Sequence, residues 1–314
     1  MILYVVRRLG TGLVLAVLVT LLTFLLLSTS FDDVASSIVG TGATPSQIHQ
    51  QKAQLGLDRP LFVQYGDWLG HAVRGDLGLS WFTSEPVRAA VTARLGVTLS
   101  LVVTALLLTT LISVTLGVLA AARGGAVDRI AQGVSMVGHL VPNLLIAIAL
   151  TYVLAVKLGW FPATGYTPLA EDPAGWASTI AIPVAALMMG GVAGLTAQIR
   201  GAMIGELRKD YVRTLRTRGI STRSVVLRHA LRGAAGPALT VLSLEFVQML
   251  GGALVIEQVF ALPGYGQYAF NASLQGDVPI IMGISLFGVL LVIGVNLAVD
   301  LVGGWLNPKA RVLS

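Results

Sequence analysis

Four lysines, four histidines and three carboxylates set in apolar sequence are the groups of this chain with chemistry to weigh. A phosphate-binding loop requires Gly-Lys followed by Ser or Thr. Lys52, Lys157, Lys209 and Lys309 each follow a residue other than glycine, so no nucleotide-hydrolysing site is expected in this chain. His49, His71, His139 and His229 stand far apart and form no HExxH pair, and no GxSxG elbow is present. Each histidine reads as structural, because a metal site needs spaced partners. Cysteine is absent, which excludes disulfides and thiolate metal sites. No catalytic residue, cofactor-binding residue or metal ligand is assigned.

The carboxylates are different. A charge inside apolar sequence is costly unless paired, so such residues are functional candidates. Glu245 is the one charge in the stretch 233–256, and Glu257 follows just before the sequence FALPGYG. Asp300 lies one helical turn after Asn296. Glu245 and Glu257 are candidates to line or gate the path of a charged solute. The competing reading is that each satisfies polar groups between packed helices, and that reading is preferred for Asp300.

The elements holding these residues are set by composition. The 314 residues are 55% hydrophobic and 11% charged, with a mean hydropathy of +0.80. Residues 9–31, 95–122, 173–199 and 278–299 carry no charge at all, and 130–156 has only His139 as a titratable group. With 233–256 these make six runs, each longer than the roughly 20 residues a helix needs to cross a bilayer. Lipid cannot satisfy a bare backbone, so helices are expected, and no period-2 pattern suggests strands. The first run has an apolar core too long for a signal peptide and no A-x-A site after it, so it reads as a retained helix. The pI of 9.9 raises the question of nucleic acid, but the placement of charge answers it.

Six spans put both termini on one side. On that side fall Arg7, Arg8, Arg123, Arg129, nine basic residues in 200–232, Lys309 and Arg311, fifteen of the 21. The other side holds Lys52, Arg59, Arg74, Arg88 and Arg94 in the long loop 32–94, with Lys157 at a helix edge. Lys and Arg accumulate on the cytoplasmic side, so the termini and 200–232 are expected inside and the long loop outside.

Within that loop, Thr44-Pro45-Ser46 signals a helix start and Gly56 a stop. Asp58-Arg59-Pro60 reads as a turn, and Val63, Trp68, Leu69, Ala72 and Val73 give a second amphipathic helix ending near Gly75. This region reads as a cap on the membrane surface, or as a docking or gating element. The stretches 158–178 and 260–266, rich in Pro, Gly and aromatics, read as interfacial turns.

The stretch 213–237 holds six arginines and no acid. A helix is expected over 211–218, then Gly219 in the left-handed conformation, then Ser221 capping a second helix from Thr222 to about Ala234 that stops before Pro237. Val225, Val226, His229 and Ala230 fall on or near one face, with Arg223, Arg228 and Arg232 elsewhere. The residues allow two readings equally: a lever gripped from the cytosol, or a basic piece resting on anionic lipid, with about 1 kcal/mol per cation near the surface.

Here the sequence resembles a known family. KDYVRTLRTRGISTRSVVLRHALRGAAGP is similar to the EAA loop of inner-membrane permeases of ABC importers, most closely the dipeptide/oligopeptide/nickel branch. Arg213-Thr214-Leu215 takes the Glu-Ala-Ala place, with Gly219 in register; Arg213, His229 and Arg232 depart from the general pattern in the manner of the peptide branch. YVVRRL at the start, LGLDRPLFVQYGDWLGHAVRGDLGLS, VIEQVFALPGYGQYAFNASLQGDVPIIMG and NLAVDLVGGWLNPKAR resemble that branch in the same order. The resemblance implies an all-α integral membrane protein: a MetI-like core of five helices preceded by one peripheral N-terminal helix. The parts would be a first helix over 1–31, an extracytoplasmic region over 32–94, a core over 95–303 with its coupling loop at 200–237, and a tail over 304–314.

It further implies a permease subunit of an ATP-driven, binding-protein-dependent importer of peptides or a similar small solute. The lever reading is then the expected one, with lipid as a secondary contact. Tyr211, Arg213, Thr214, Arg216, Gly219, Ser221, Val225 and Leu227 would couple to ATPase subunits. Implied partners are a homologous second permease, two ABC ATPase subunits binding the ATP and Mg, an extracytoplasmic substrate-binding protein and membrane lipid, with no nucleic acid. The place implied is a bacterial inner membrane, crossed several times with both termini cytoplasmic. The rival class is an ion-gradient-driven transporter or channel, which would need an ion relay built from Glu245, Glu257 and Asp300, no two of them adjacent in sequence. An intramembrane enzyme is disfavoured by the missing motifs.

Overall fold

The computed structural model describes residues 2–40 and 42–306. Lys309, Arg311 and the end of the expected tail lie outside the described residues, as does the side chain of His139. Among the described residues the backbone is helical, and the one β contact is an isolated bridge between Leu79 and Pro86. The residues group into two compact units.

The first unit comprises residues 1–97 and 263–294. It contains α1 (Ile2–Ser28), α2 (Phe31–Val39), α3 (Pro45–Leu55), α4 (Leu61–Val73) and α11 (Tyr265–Gln275). It also holds the start of α5 (Val87–Arg123) and the first half of α12 (Val278–Leu306). The expected start at Thr44 is a capping box: Thr44 and Gln47 satisfy each other's bare end groups, with Pro45 in the first turn. Gly56 ends that helix at φ +69°, where a side chain would be strained. The first apolar run, expected as one helix to residue 31, breaks at Thr29-Ser30, and α2 starts anew at Phe31. Burial explains the restart: Phe31, Val34 and Ala35 turn inward, and Phe31 packs edge-on against Phe24 at 5.9 Å. Tyr65 of α4 reaches α1, donating to the Val17 carbonyl at 2.9 Å beside Thr20. A cavity of about 520 Å³ remains among Phe24, Phe31, Trp68 and Trp81.

The second unit comprises residues 98–262 and 295–314. It contains the rest of α5, then α6 (Gly125–Leu140), α7 (Asn143–Lys157), α8 (Pro173–Leu207), α9 (Asp210–Thr217) and α10 (Thr222–Phe260). α8 is the spine: α6, α7 and α10 all pack on it. Its N-terminus is capped by Asp172, which accepts from the Ala174 amide at 3.0 Å. Close approach is made by small residues. A methyl group on Gly117 of α5 would sit 2.9 Å from the Ile199 side chain, and one on Gly138 of α6 would sit 2.7 Å from that of Ala193. Leu195, Ile199 and Met203 of α8 and Val226 and Ala230 of α10 share one apolar core.

Two expectations are corrected here. The run 130–156 is not one helix: it breaks at Val141-Pro142, and α7 opens into a π-helical stretch from Thr151. Proline lacks the amide for the helix ladder and drives the residue before it out of helical geometry, and both halves then pack on α8. Among the described residues five helices are long and apolar enough to cross a membrane, and the broken α6–α7 segment stands where a sixth was expected. Conversely, the helix after Ser221 does not stop before Pro237 but runs on to Phe260 with that proline inside it. Stopping in apolar surroundings would leave several backbone groups bare, whereas the proline removes only one bond.

Candidate functional site

The elbow forms as its residues dictate. In α9, Val212 is fully buried and the charged positions face outward. The helix ends in a left-handed turn: Gly219 takes φ +76°, its amide donates to the Arg216 carbonyl at 3.0 Å, and Ile220 donates to Leu215 at 3.2 Å. Ser221 then caps α10, its Oγ accepting from the Ser224 amide at 3.4 Å. The next residues, Val225–Ala230, wind as a π-helical turn before the α-helix resumes. Thr214 and Thr217 satisfy their hydroxyls on α9's own carbonyls, at 3.2 and 2.9 Å.

Tyr211, Arg213, Thr214, Arg216, Gly219, Ser221 and Leu227 are all exposed on this elbow. Val225 is not: with Val226 and Ala230 it is buried in the unit's own core. Val225 and Leu227 therefore do not share one apolar face, because two residues along a helix turn the side chain to the opposite side. Arg223, Arg228 and Arg232 are exposed, as their positions in the sequence imply. His229 is half-buried.

A residue not singled out from the sequence ties the elbow down. Glu206, in the last turn of α8, is only 8% exposed. Its Oε1 accepts from the Tyr211 hydroxyl at 2.9 Å and its Oε2 from Lys209 Nζ at 2.5 Å. Burial first, and the Glu206 carboxylate second, push the Tyr211 phenol up to about 12. The i,i+3 spacing of Glu206 and Lys209 was the only local signal. Nearby, Arg200 of α8 grips Asp128 of α6 with two nitrogens, one bond measuring 2.7 Å.

The two path candidates lie in α10, about 18 Å apart along its axis at 1.5 Å per residue. Glu257 is fully buried, and the Thr98 hydroxyl of α5 donates to it. Glu245 is nearly buried, and its carboxylate faces Gly191 of α8, where a methyl group would come within 2.9 Å. The two carboxylates thus occupy separate places, and Asp300 is half-buried on α12. Asp277, likewise unforeseen, is fully buried in the first unit and accepts from the Ser80 hydroxyl at 2.5 Å and the Trp81 amide at 3.3 Å. Its partners lie almost two hundred residues away in sequence, beyond any local pattern. Among the described residues no three His, Asp or Glu side chains converge as a metal site requires.

Comparison with known proteins covers nearly all of the chain. The family model for the binding-protein-dependent transport system inner membrane component matches residues 113–312, and the N-terminal model of the same system's membrane component matches 1–102. A Brucella abortus (strain 2308) protein, provisionally named a peptide transport system permease, is 36% identical over 308 residues, covering 98% of each chain. A provisionally named peptide ABC transporter permease of Sinorhizobium fredii is 35% identical over 309 residues, covering 98% of this chain and 99% of its own. The oligopeptide transport system permease protein of Bacillus subtilis is 31% identical over 312 residues, covering 98% of each.

Proposed function

This chain belongs to the family of binding-protein-dependent transport system inner membrane components, and on that premise we propose that it is the permease subunit of an ATP-driven importer of peptides. Full-length relatives named for peptide and oligopeptide transport support the solute class. The observation that carries the mechanism is the elbow. Six exposed candidate residues surround a left-handed glycine, and the helices on either side of it, α8 and α10, are long enough to cross the membrane.

In this reading a binding protein delivers peptide from outside, and two ATPase subunits grip this permease and a homologous second one. ATP, with its Mg, is bound and hydrolysed in those subunits. As they close they press on the exposed side of α9, around Arg213, Thr214 and Arg216. The tight turn at Gly219-Ser221 passes the push into α10, which carries Glu245 and Glu257, the proposed contacts of the solute path. The basic faces of the elbow also meet anionic lipid. Both termini are cytoplasmic in this reading.

Gly219→Val is the test. A β-branched residue in left-handed geometry costs roughly 1–2 kcal/mol, so the turn opens or shifts. In the reconstituted complex the variant should keep its ATPase subunits and hydrolyse ATP while uptake falls. Wild-type uptake per ATP would remove the elbow from the mechanism, and failure of the wild type to copurify with any ATPase would overturn the function.

A further inference from the structure

α9 is too short to hold its shape alone, since a helix of eight residues is well below the length that is stable in water. Short connections flank it, Arg208-Lys209 before and Arg218–Ser221 after. A push delivered to its exposed side is therefore transmitted only if something fixes α9 to the long helices. Val212 supplies one fastening, by burial. The other is polar and runs through a single carboxyl group.

Glu206 touches three elements at once. It is rooted in the end of α8, and it takes the Tyr211 hydroxyl of α9 at 2.9 Å. Its carboxyl end and Cγ also lie so tightly against Gly233 of α10 that a methyl group there would overlap them. The bonds on this carboxylate differ in weight. Lys209 is 59% exposed, so its ion pair is screened and adds little. The Tyr211 bond ends on a carboxylate that is nearly buried, where a charge-assisted bond is strong. Gly233 completes the arrangement by leaving the carboxyl room to lie between α9 and α10.

We propose that Glu206 is a positioning residue of the transport cycle: with Tyr211 and Gly233 it clamps α9 to α8 and α10, so that force on α9 moves α10 rather than rocking α9 about the Arg208-Lys209 link. This inference rests on the reading of α9 as the coupling segment.

The test uses the whole reconstituted complex and two readouts. One is ATP hydrolysed per peptide imported. The other is the mobility of a nitroxide on Thr217→Cys, clean because the chain has no native cysteine. Glu206→Ala and Tyr211→Phe should each loosen the label and raise ATP consumed per peptide on the order of tenfold, within the usual range of coupling energies. Glu206→Gln keeps an acceptor for Tyr211 and should stay within about twofold of wild type, while Tyr211→Phe keeps the packing of the ring and removes only the hydroxyl, so its effect separates the bond from packing. Tyr211→Phe carries the test if Glu206→Ala does not assemble. Arg216→Ala, on the exposed side of α9, separates the two ideas. If it raises the ratio while Tyr211→Phe and Glu206→Ala leave ratio and mobility at wild type, the clamp is refuted and the coupling segment stands. If all three leave the ratio at wild type, the coupling reading itself falls.

Discussion

At the scale of single residues, Tyr211 offers a direct readout of its surroundings. Its phenol is pushed from 10.0 to about 12, by burial more than by the Glu206 charge. A group whose folded value is raised contributes its full stabilisation below the unfolded value and loses it as pH climbs through the folded one. The stabilisation tied to the protonated Tyr211 is therefore complete below about pH 10 and is lost as pH rises through about 12. Glu206→Gln removes the charge and leaves the burial. Its Tyr211 should then titrate between those two values, seen as the phenolate absorbance lost on adding Tyr211→Phe; titration at the wild-type value would show that the carboxylate contributes nothing. Tyr211 became a candidate through the resemblance of residues 209–237 to the EAA loop, in which the arginine-rich stretch begins at Arg213. Glu206 stands just ahead of that stretch and belongs to a helix end, so charge patterning passed over it.

Among the elements, two prolines show what local rules miss. Gly219 and Ser221 behave as read, because a left-handed turn and an N-cap are decided within five residues. Pro142 breaks a helix expected to be whole, and Pro237 sits within a helix expected to end. What decides each case is packing on α8, which α6 and α7 meet as separate pieces and α10 meets as one. Glycines within these helices divide by the same criterion. A methyl group on Gly117 would lie 2.9 Å from the side chain of Ile199 and 3.1 Å from the backbone nitrogen of Arg200, which cannot yield easily. Gly201, in mid-helix on α8, meets nothing within 4 Å. Gly117→Ala should lower stability by roughly 1–3 kcal/mol as an overpacked contact. Gly201→Ala should raise it by about 0.5–1 kcal/mol through helix propensity. Thermal unfolding of the purified protein in detergent checks both, and equal effects of one sign would show that α5 and α8 do not meet at Gly117.

For the molecule as a whole, the membrane-spanning character was legible in the sequence because it is written in composition, as long uncharged runs. The pairings that fix the fold were not, since contacts such as Thr98–Glu257 and Ser80–Asp277 join residues more than 150 positions apart. The sidedness expected from the unequal basicity of the segments has a sharp consequence for α8. Its 35 residues extend roughly 50 Å at 1.5 Å each, more than the ~30 Å hydrocarbon layer. The segment before it should therefore be outside and α9, just after it, inside. Leu169 and Thr217 are both exposed, one on each side of that helix. With no native cysteine to interfere, Leu169→Cys should react with a membrane-impermeant maleimide in intact cells, and Thr217→Cys only after the membrane is opened. The opposite pattern would put the arginine-rich elbow on the face where no ATP is available, and no arrangement of α9, Glu206 and Gly219 could then draw force from hydrolysis.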